Sequence, residues 1–226
     1  FIPHSSPDAD ALGSCLGLYH FFKDENNVNI ISPNEYTDIL NFLPGSKSVI
    51  VFDNEKEKST NLLSNADVIF TLDFNSLSRA RNMSNLISKS SAKIIMIDHH
   101  ENPDKYADIM ISDSKMSSTC EMIYDFICLL DKNKINNKIA TCLYTGIVAD
   151  TGSFRYPSTT SKTLKAGSEL INYGVNVTEI YEKLHNNFQF KRLKLLGAAI
   201  NNFKKIDGLP VLYTSITDDD RKMNSF

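Results

Sequence analysis

Lys93 to Asn102 reads KIIMIDHHEN, four consecutive apolar residues followed at once by an aspartate and two histidines. A short apolar run without polar alternation is the pattern of a strand covered on both faces. Four further runs have the same character: VNIIS (28–32), SVIVF (48–52), DVIFTL (67–72) and DIMIS (108–112). Helical patterns lie between or after them, at about 8–24, 76–88, 119–131 and 136–149. This alternation predicts an α/β fold, a mostly parallel sheet flanked by helices. In such sheets ligands bind beyond the carboxyl ends of the strands. The polar residues directly after each run are therefore the first candidates for a site.

Four stretches supply them. HSSPDADALGS (4–14) follows Phe1-Ile2-Pro3, which reads as the end of a buried strand rather than a natural start. Asp8 or a neighbouring serine can cap the helix beginning near Ala9, but capping needs one residue and leaves His4 and Asp10 unexplained. Asp73 follows the run 67–72, and Asn75 or Ser76 is already available to cap the next helix. Asp98, His99 and His100 follow the run 93–97 at the same level of the sheet. Asp150 ends a helix whose face is marked by Ile139, Leu143 and Ile147. A negative charge is unfavourable at that end of a helix dipole, so a cation explains it better than local stability does.

Together these stretches offer two imidazoles and four carboxylates suited to a pair of divalent metals. With Asp73 shared, the ions would stand roughly 3.5–4 Å apart and activate a bridging water. His100 would be free to bind or protonate a phosphate oxygen.

The composition agrees with a globular chain: 226 residues, 42% hydrophobic and 23% charged. A net charge of −3 argues against a surface that grips long duplex nucleic acid, while leaving small phosphorylated substrates open. Cys15, Cys120, Cys128 and Cys142 form no C-x-x-C pair, so buried thiols are expected rather than a zinc finger. No apolar run reaches the length of a membrane span, and a cytoplasmic protein is the default.

HSSPDADALGS, LDFNS, DHHEN and GIVADTGSFRY resemble, in order, the four motifs of the DHH phosphoesterase superfamily. GSFRYPSTTSKTL and SPNEYTDILNFLPGS are similar to its bifunctional oligoribonuclease and pAp phosphatase branch, relatives of the RecJ exonucleases. The resemblance implies a hydrolase using two divalent metal ions, manganese first and magnesium or cobalt as alternatives, with a metal-bridging hydroxide as attacking group. Its substrates would be short RNA oligomers or small nucleotides such as 3′-phosphoadenosine 5′-phosphate (pAp). A cyclic or linear dinucleotide phosphodiesterase, a manganese-dependent pyrophosphatase and a metal-binding regulatory module are the competing readings. A homodimer is implied as well.

Carried over, the resemblance gives His4 and Asp8 to one metal, Asp10, His99 and Asp150 to the other, and Asp73 to both. Asp98 would orient a histidine, and His100 matches the family's phosphate-contacting histidine. Ser118 and Thr119, at a predicted helix start, and Arg155 are candidate substrate contacts. Asp73, Asp98 and His100 form the catalytic group on this reading. Ser6 and Ala9 depart from the family's usual Asn and Gly without changing a ligand.

Beyond residue 158 the sequence turns helical, and DGLPVLYTSI (207–216) reads as a turn followed by a new strand. The expected organisation is a catalytic domain over 1–188, a linker helix over 189–204, and from 205 to 226 the opening of a second, substrate-binding domain. The family places a glycine-rich GGGH loop in that second domain, which this sequence does not contain. His20 is expected at a helix surface or interface and His185 in a local hydrogen bond.

Overall fold

The computed structural model describes residues 1–185 and 190–223. The expected domain boundary at 188–189 lies outside the described residues, as do the last three residues of the chain. A compact unit spans Phe1–Ile180 and a second spans Tyr181–Phe226.

The first unit is built on parallel strands β1 (Ile2–Pro3), β2 (Ile30–Ser32), β3 (Val49–Val51), β4 (Val68–Leu72), β5 (Lys93–Asp98) and β6 (Ile109–Ser112). The five runs read from the sequence are all strands, trimmed or extended by one or two residues. β1, β4, β5 and β6 pair in that order, and β2 pairs with β3. The Ile31 N–H donates to the Phe1 carbonyl at 3.0 Å, and the Phe1 amino group donates to the Asn29 carbonyl at 2.8 Å. These bonds set β2 beside β1, so the strands run β3-β2-β1-β4-β5-β6 in space. The order reverses between β1 and β4, where a doubly wound sheet opens its ligand crevice.

Register puts the site in one row. Pro3 stands opposite Leu72, and Leu72 opposite Ile97. The next residues along those strands are His4, Asp73 and Asp98, so the three polar groups leave the sheet at one level.

Helices cover both faces. α1 (Ala9–Phe22), α4 (Thr119–Asp131) and α5 (Asn137–Asp150) lie on one side, where Phe70 of β4 meets Phe22 and Phe126. On the other, Ile2, Ile31, Ile69 and Ile94 meet Leu63 of α2 (Lys56–Ser64) and Ile87 of α3 (Ser84–Ser88). α1 and α5 approach closely because Gly13 faces the α5 backbone; a Cβ there would lie 2.6 Å from the Cys142 carbonyl oxygen. A capping box between Thr160 and Thr163 starts α6 (Ser161–Ile171). α7 (Val177–His185) follows.

The first unit departs from the expected elements at three points. β6 is not buried on both faces: Ile109, Met110 and Ile111 are 51%, 36% and 38% exposed, because β6 ends the sheet with one neighbouring strand. The helix expected at 76–88 is a 3₁₀ helix over Leu77–Met83 and then α3, broken where Arg81 takes φ 48°. α2 was not read from the sequence; Ser59 and Leu63 are its only buried residues, too few to mark a periodic face.

The second unit holds α8 (Phe190–Asn201), an antiparallel pair β7 (Lys204–Lys205) and β8 (Leu212–Tyr213), and α9 (Asp218–Met223). Where the sequence suggested one new strand, a hairpin forms. Its turn residue Gly208 has φ 80°, a conformation that glycine takes freely. Among the described residues no helix is long and apolar enough to cross a membrane.

Candidate metal centre

His4 leaves β1 buried, with its Nδ1 2.8 Å from the Ser5 carbonyl oxygen. That carbonyl accepts the Nδ1 proton and leaves Nε2 as the nitrogen turned toward the carboxylates, the one a metal ion would take. Nε2 lies 3.5 Å from Asp73 Oδ2 and 3.7 Å from Asp8 Oδ2, and it is buried without a hydrogen bond. Asp8 divides its two oxygens. Oδ1 caps α1, accepting the Asp10 and Ala11 N–H groups at 3.0 Å each, while Oδ2 faces His4.

Asp73 takes φ 66°, turning the chain off β4 while its N–H still donates to the Ile97 carbonyl at 3.0 Å. A left-handed backbone at a non-glycine residue is strained and recurs where a site fixes it. Its Oδ1 lies 3.5 Å from His99 Nε2, on the opposite side from the Oδ2 contact with His4. His99 Nε2 is also 3.2 Å from Asp150 Oδ2 and 3.8 Å from Asp10 Oδ2. Asp150 is the last residue of α5, half-buried at the edge of the cluster.

Asp10 is fully buried in the first turn of α1. Its carboxylate receives the Thr119 N–H on Oδ2 at 2.7 Å and the Cys120 N–H on Oδ1 at 2.8 Å. The anion at the start of α4 is therefore a side chain of the protein itself, held by free amides and the helix dipole. Ser118 and Thr119 are fully buried, so neither faces an incoming substrate as the sequence suggested. Ser118 caps α4 by accepting the Glu121 N–H, and Thr119 donates its hydroxyl to Asp73 Oδ1 at 2.8 Å.

Asp98 ends β5, buried, and orients His100 twice, through Nδ1 at 2.7 Å and the backbone N–H at 3.1 Å. His100 Nε2 meets Arg79 at 3.0 Å. Arg155 is exposed and donates from Nε to the Gly152 carbonyl at 2.6 Å, which ties it into its own loop. His20 is buried and bonds the Pro44 carbonyl at 2.9 Å, a core histidine rather than a surface one. Cys15, Cys120 and Cys142 are buried free thiols, and Cys128 is half-buried.

The electrostatics ask for a cation. Burial pushes the Asp10 carboxyl well above the usual range, and the neighbouring Asp73 and Asp150 push it further. Burial likewise raises Asp73, against the opposing pull of His4. Burial disfavours the His4 imidazolium, but Asp73 and Asp8 outweigh it and raise its pKa to about 10. His99 rises to about 9, its burial outweighed by Asp150, Asp10 and Asp73. Protons thus stand where positive charge is needed, and a divalent ion supplies that charge without them. Three overlapping groups have donor atoms within 4.8 Å of one another: His4-Asp8-Asp73, Asp10-His99-Asp150 and Asp73-His99-His100. The buried His4 Nε2, which lacks a hydrogen bond, and the crowded carboxylates fit hard-to-borderline metal ions.

Arg79 and Glu121 were missed in the sequence. Glu121 is buried and accepts from Ser117 Oγ at 2.5 Å and Thr163 Oγ1 at 2.9 Å. That fixes the loop whose Met116 carbonyl faces His99 Nδ1 at 3.4 Å. Both depend on contacts distant in sequence, and no spacing rule marks either residue.

The DHH family, N-terminal domain, matches residues 1–147. The bifunctional oligoribonuclease and PAP phosphatase NrnA of Bacillus subtilis is 32% identical over 95% of this chain and 69% of its own length. The protein of the same name from Thermus thermophilus is 31% identical over 80% of this chain and 52% of its own. The chain thus spans between about half and two thirds of these relatives. The crystal structure of an exopolyphosphatase-related protein from Bacteroides fragilis matches all of this chain and 67% of its own, with a TM-score of 0.94 at 37% identity. The chain belongs to the DHH family and is a phosphoesterase of the hydrolase class.

Proposed function

We propose that the chain hydrolyses phosphoester bonds in short oligoribonucleotides, pAp, or both, using two divalent cations, manganese first. One observation carries the two-cation reading: the oxygens of Asp73 face different donor sets, Oδ2 toward His4 and Oδ1 toward His99. His4, Asp8 and Asp73 would hold one ion, and Asp10, His99, Asp150 and the same Asp73 the other. Such ions lower the pKa of a water and neutralise phosphoryl charge.

The remaining residues support that arrangement. Thr119 fixes Asp73 against Asp10, and Asp98 holds the His100 ring at the more exposed side of the cluster, where a phosphoryl oxygen would approach. The names of the Bacillus and Thermus relatives supply the substrate class. Assaying pAp, di- to pentaribonucleotides and pyrophosphate side by side, with manganese and with chelator, tests the proposal. Manganese-dependent release of mononucleotides or AMP is expected. Turnover of pyrophosphate alone would overturn it.

A further inference from the structure

We propose that Arg79 is a substrate-binding residue that receives a non-bridging phosphoryl oxygen beside His100. The proposal rests on the phosphoesterase reading above and assigns a contact within it.

Among the described residues Arg79 forms no ion pair with a carboxylate, although Asp8, Asp10, Asp73, Asp98 and Asp150 gather around the same site. Its guanidinium instead donates from Nη1 to His100 Nε2 at 3.0 Å. A guanidinium has no acceptor, so His100 Nε2 accepts and His100 Nδ1–H donates to Asp98 Oδ1 at 2.7 Å. Both imidazole nitrogens are then engaged, and the guanidinium of Arg79 lies beside them. Among the described residues one of the five guanidinium N–H groups is used, on that imidazole nitrogen. An anionic phosphoryl oxygen is the stronger acceptor, and the fork suits its geometry.

Backbone contacts place this donor. The Arg79 carbonyl accepts the Ser5 N–H at 2.8 Å, next to His4, and the Arg79 N–H donates to the Ser76 carbonyl at 3.0 Å. Arg79 is half-buried, and the His100 side chain is 34% exposed. The pair is therefore more exposed than the buried Asp10, Asp73 and Asp98, on a side a substrate can reach. Arg155, by contrast, is held in its own loop by the Gly152 carbonyl.

The test titrates inorganic phosphate into the manganese-loaded full chain by calorimetry and measures kcat and KM with pAp. Wild type, Arg79→Ala, Arg79→Lys, His100→Gln and the Arg79→Ala/His100→Gln double variant are compared. Arg79→Ala is expected to weaken phosphate binding at least tenfold and raise KM, with manganese affinity unchanged. The loss persists in the His100→Gln background, and Arg79→Lys falls between. Phosphate affinity within twofold of wild type overturns the proposal. So does a loss that vanishes beside His100→Gln, which means Arg79 acts only through His100, and so does lost manganese binding. If wild type neither binds phosphate nor turns over any phosphoester with manganese, the functional reading itself falls and Arg79 with it.

Discussion

Thr119 donates its hydroxyl to Asp73 Oδ1 at 2.8 Å, while its own N–H donates to Asp10 Oδ2 at 2.7 Å. One buried residue at the start of α4 thus fixes two carboxylates that arrive from β4 and α1. Left to themselves these carboxylates repel; Thr119 ties each of them to the start of α4.

Thr119→Val keeps the shape and removes the hydroxyl, leaving Asp73 Oδ1 without that donor. A buried group that loses its partner costs about 1–3 kcal/mol, and loss of an outer-shell partner lowers metal affinity or activity by roughly 10–100-fold. Calorimetric manganese titration with parallel kinetics checks this. Thr119→Ser should retain most of both, and equal behaviour of the two variants would deny the hydroxyl its role.

Gly146 of α5 faces the carboxylate of Asp10. A Cβ there would lie 2.3 Å from Cys120 Sγ and 2.9 Å from Asp10 Oδ1. Gly146→Ala must push α5 away from α1 and α4 or displace Asp10, an overpacking cost of about 1–3 kcal/mol. Its melting temperature should drop by several degrees, and manganese should bind more weakly. An unchanged melting temperature would show that the helices separate freely.

The metal-free protein should lose stability as pH rises. His4 and His99 have folded pKa values of about 10 and about 9 against 6.5, so their contribution is complete below 6.5 and is lost as pH rises through 9 to 10. Asp10 and Asp73 are raised as well, and ionising them in the folded state acts in the same direction. Asp8 is largely exposed; desolvation raises its carboxyl, but His4 and the Ala11 and Asp10 N–H groups outweigh this and lower it, so its contribution changes only in acid, outside this window. Thermal melts with chelator should therefore fall between pH 6.5 and 9, and manganese should flatten the profile. A flat chelated profile would contradict the electrostatic picture.

Much of the site was legible in the sequence because parallel strands are apolar throughout and end where polarity begins. His4, Asp73 and Asp98 each follow such a run, and the register aligns them. The ladder geometry of β6 was legible, but its exposure depends on strand order, which local sequence does not encode. Ser118 and Thr119 were placed at a helix start, as they are. Their occupation by Asp10, more than a hundred residues earlier in the chain, is visible only in three dimensions. The break at Arg81 and the partnership of Arg79 with His100 were hidden for the same reason, since neither repeats with a helical or strand period.

The central claim is that Asp73 is shared between two cations. Counting manganese ions per chain by calorimetry and elemental analysis, for wild type and Asp73→Ala, tests it most directly. The account predicts two ions in wild type, and one or none with turnover abolished in the variant. Two ions bound with undiminished affinity by Asp73→Ala would contradict it.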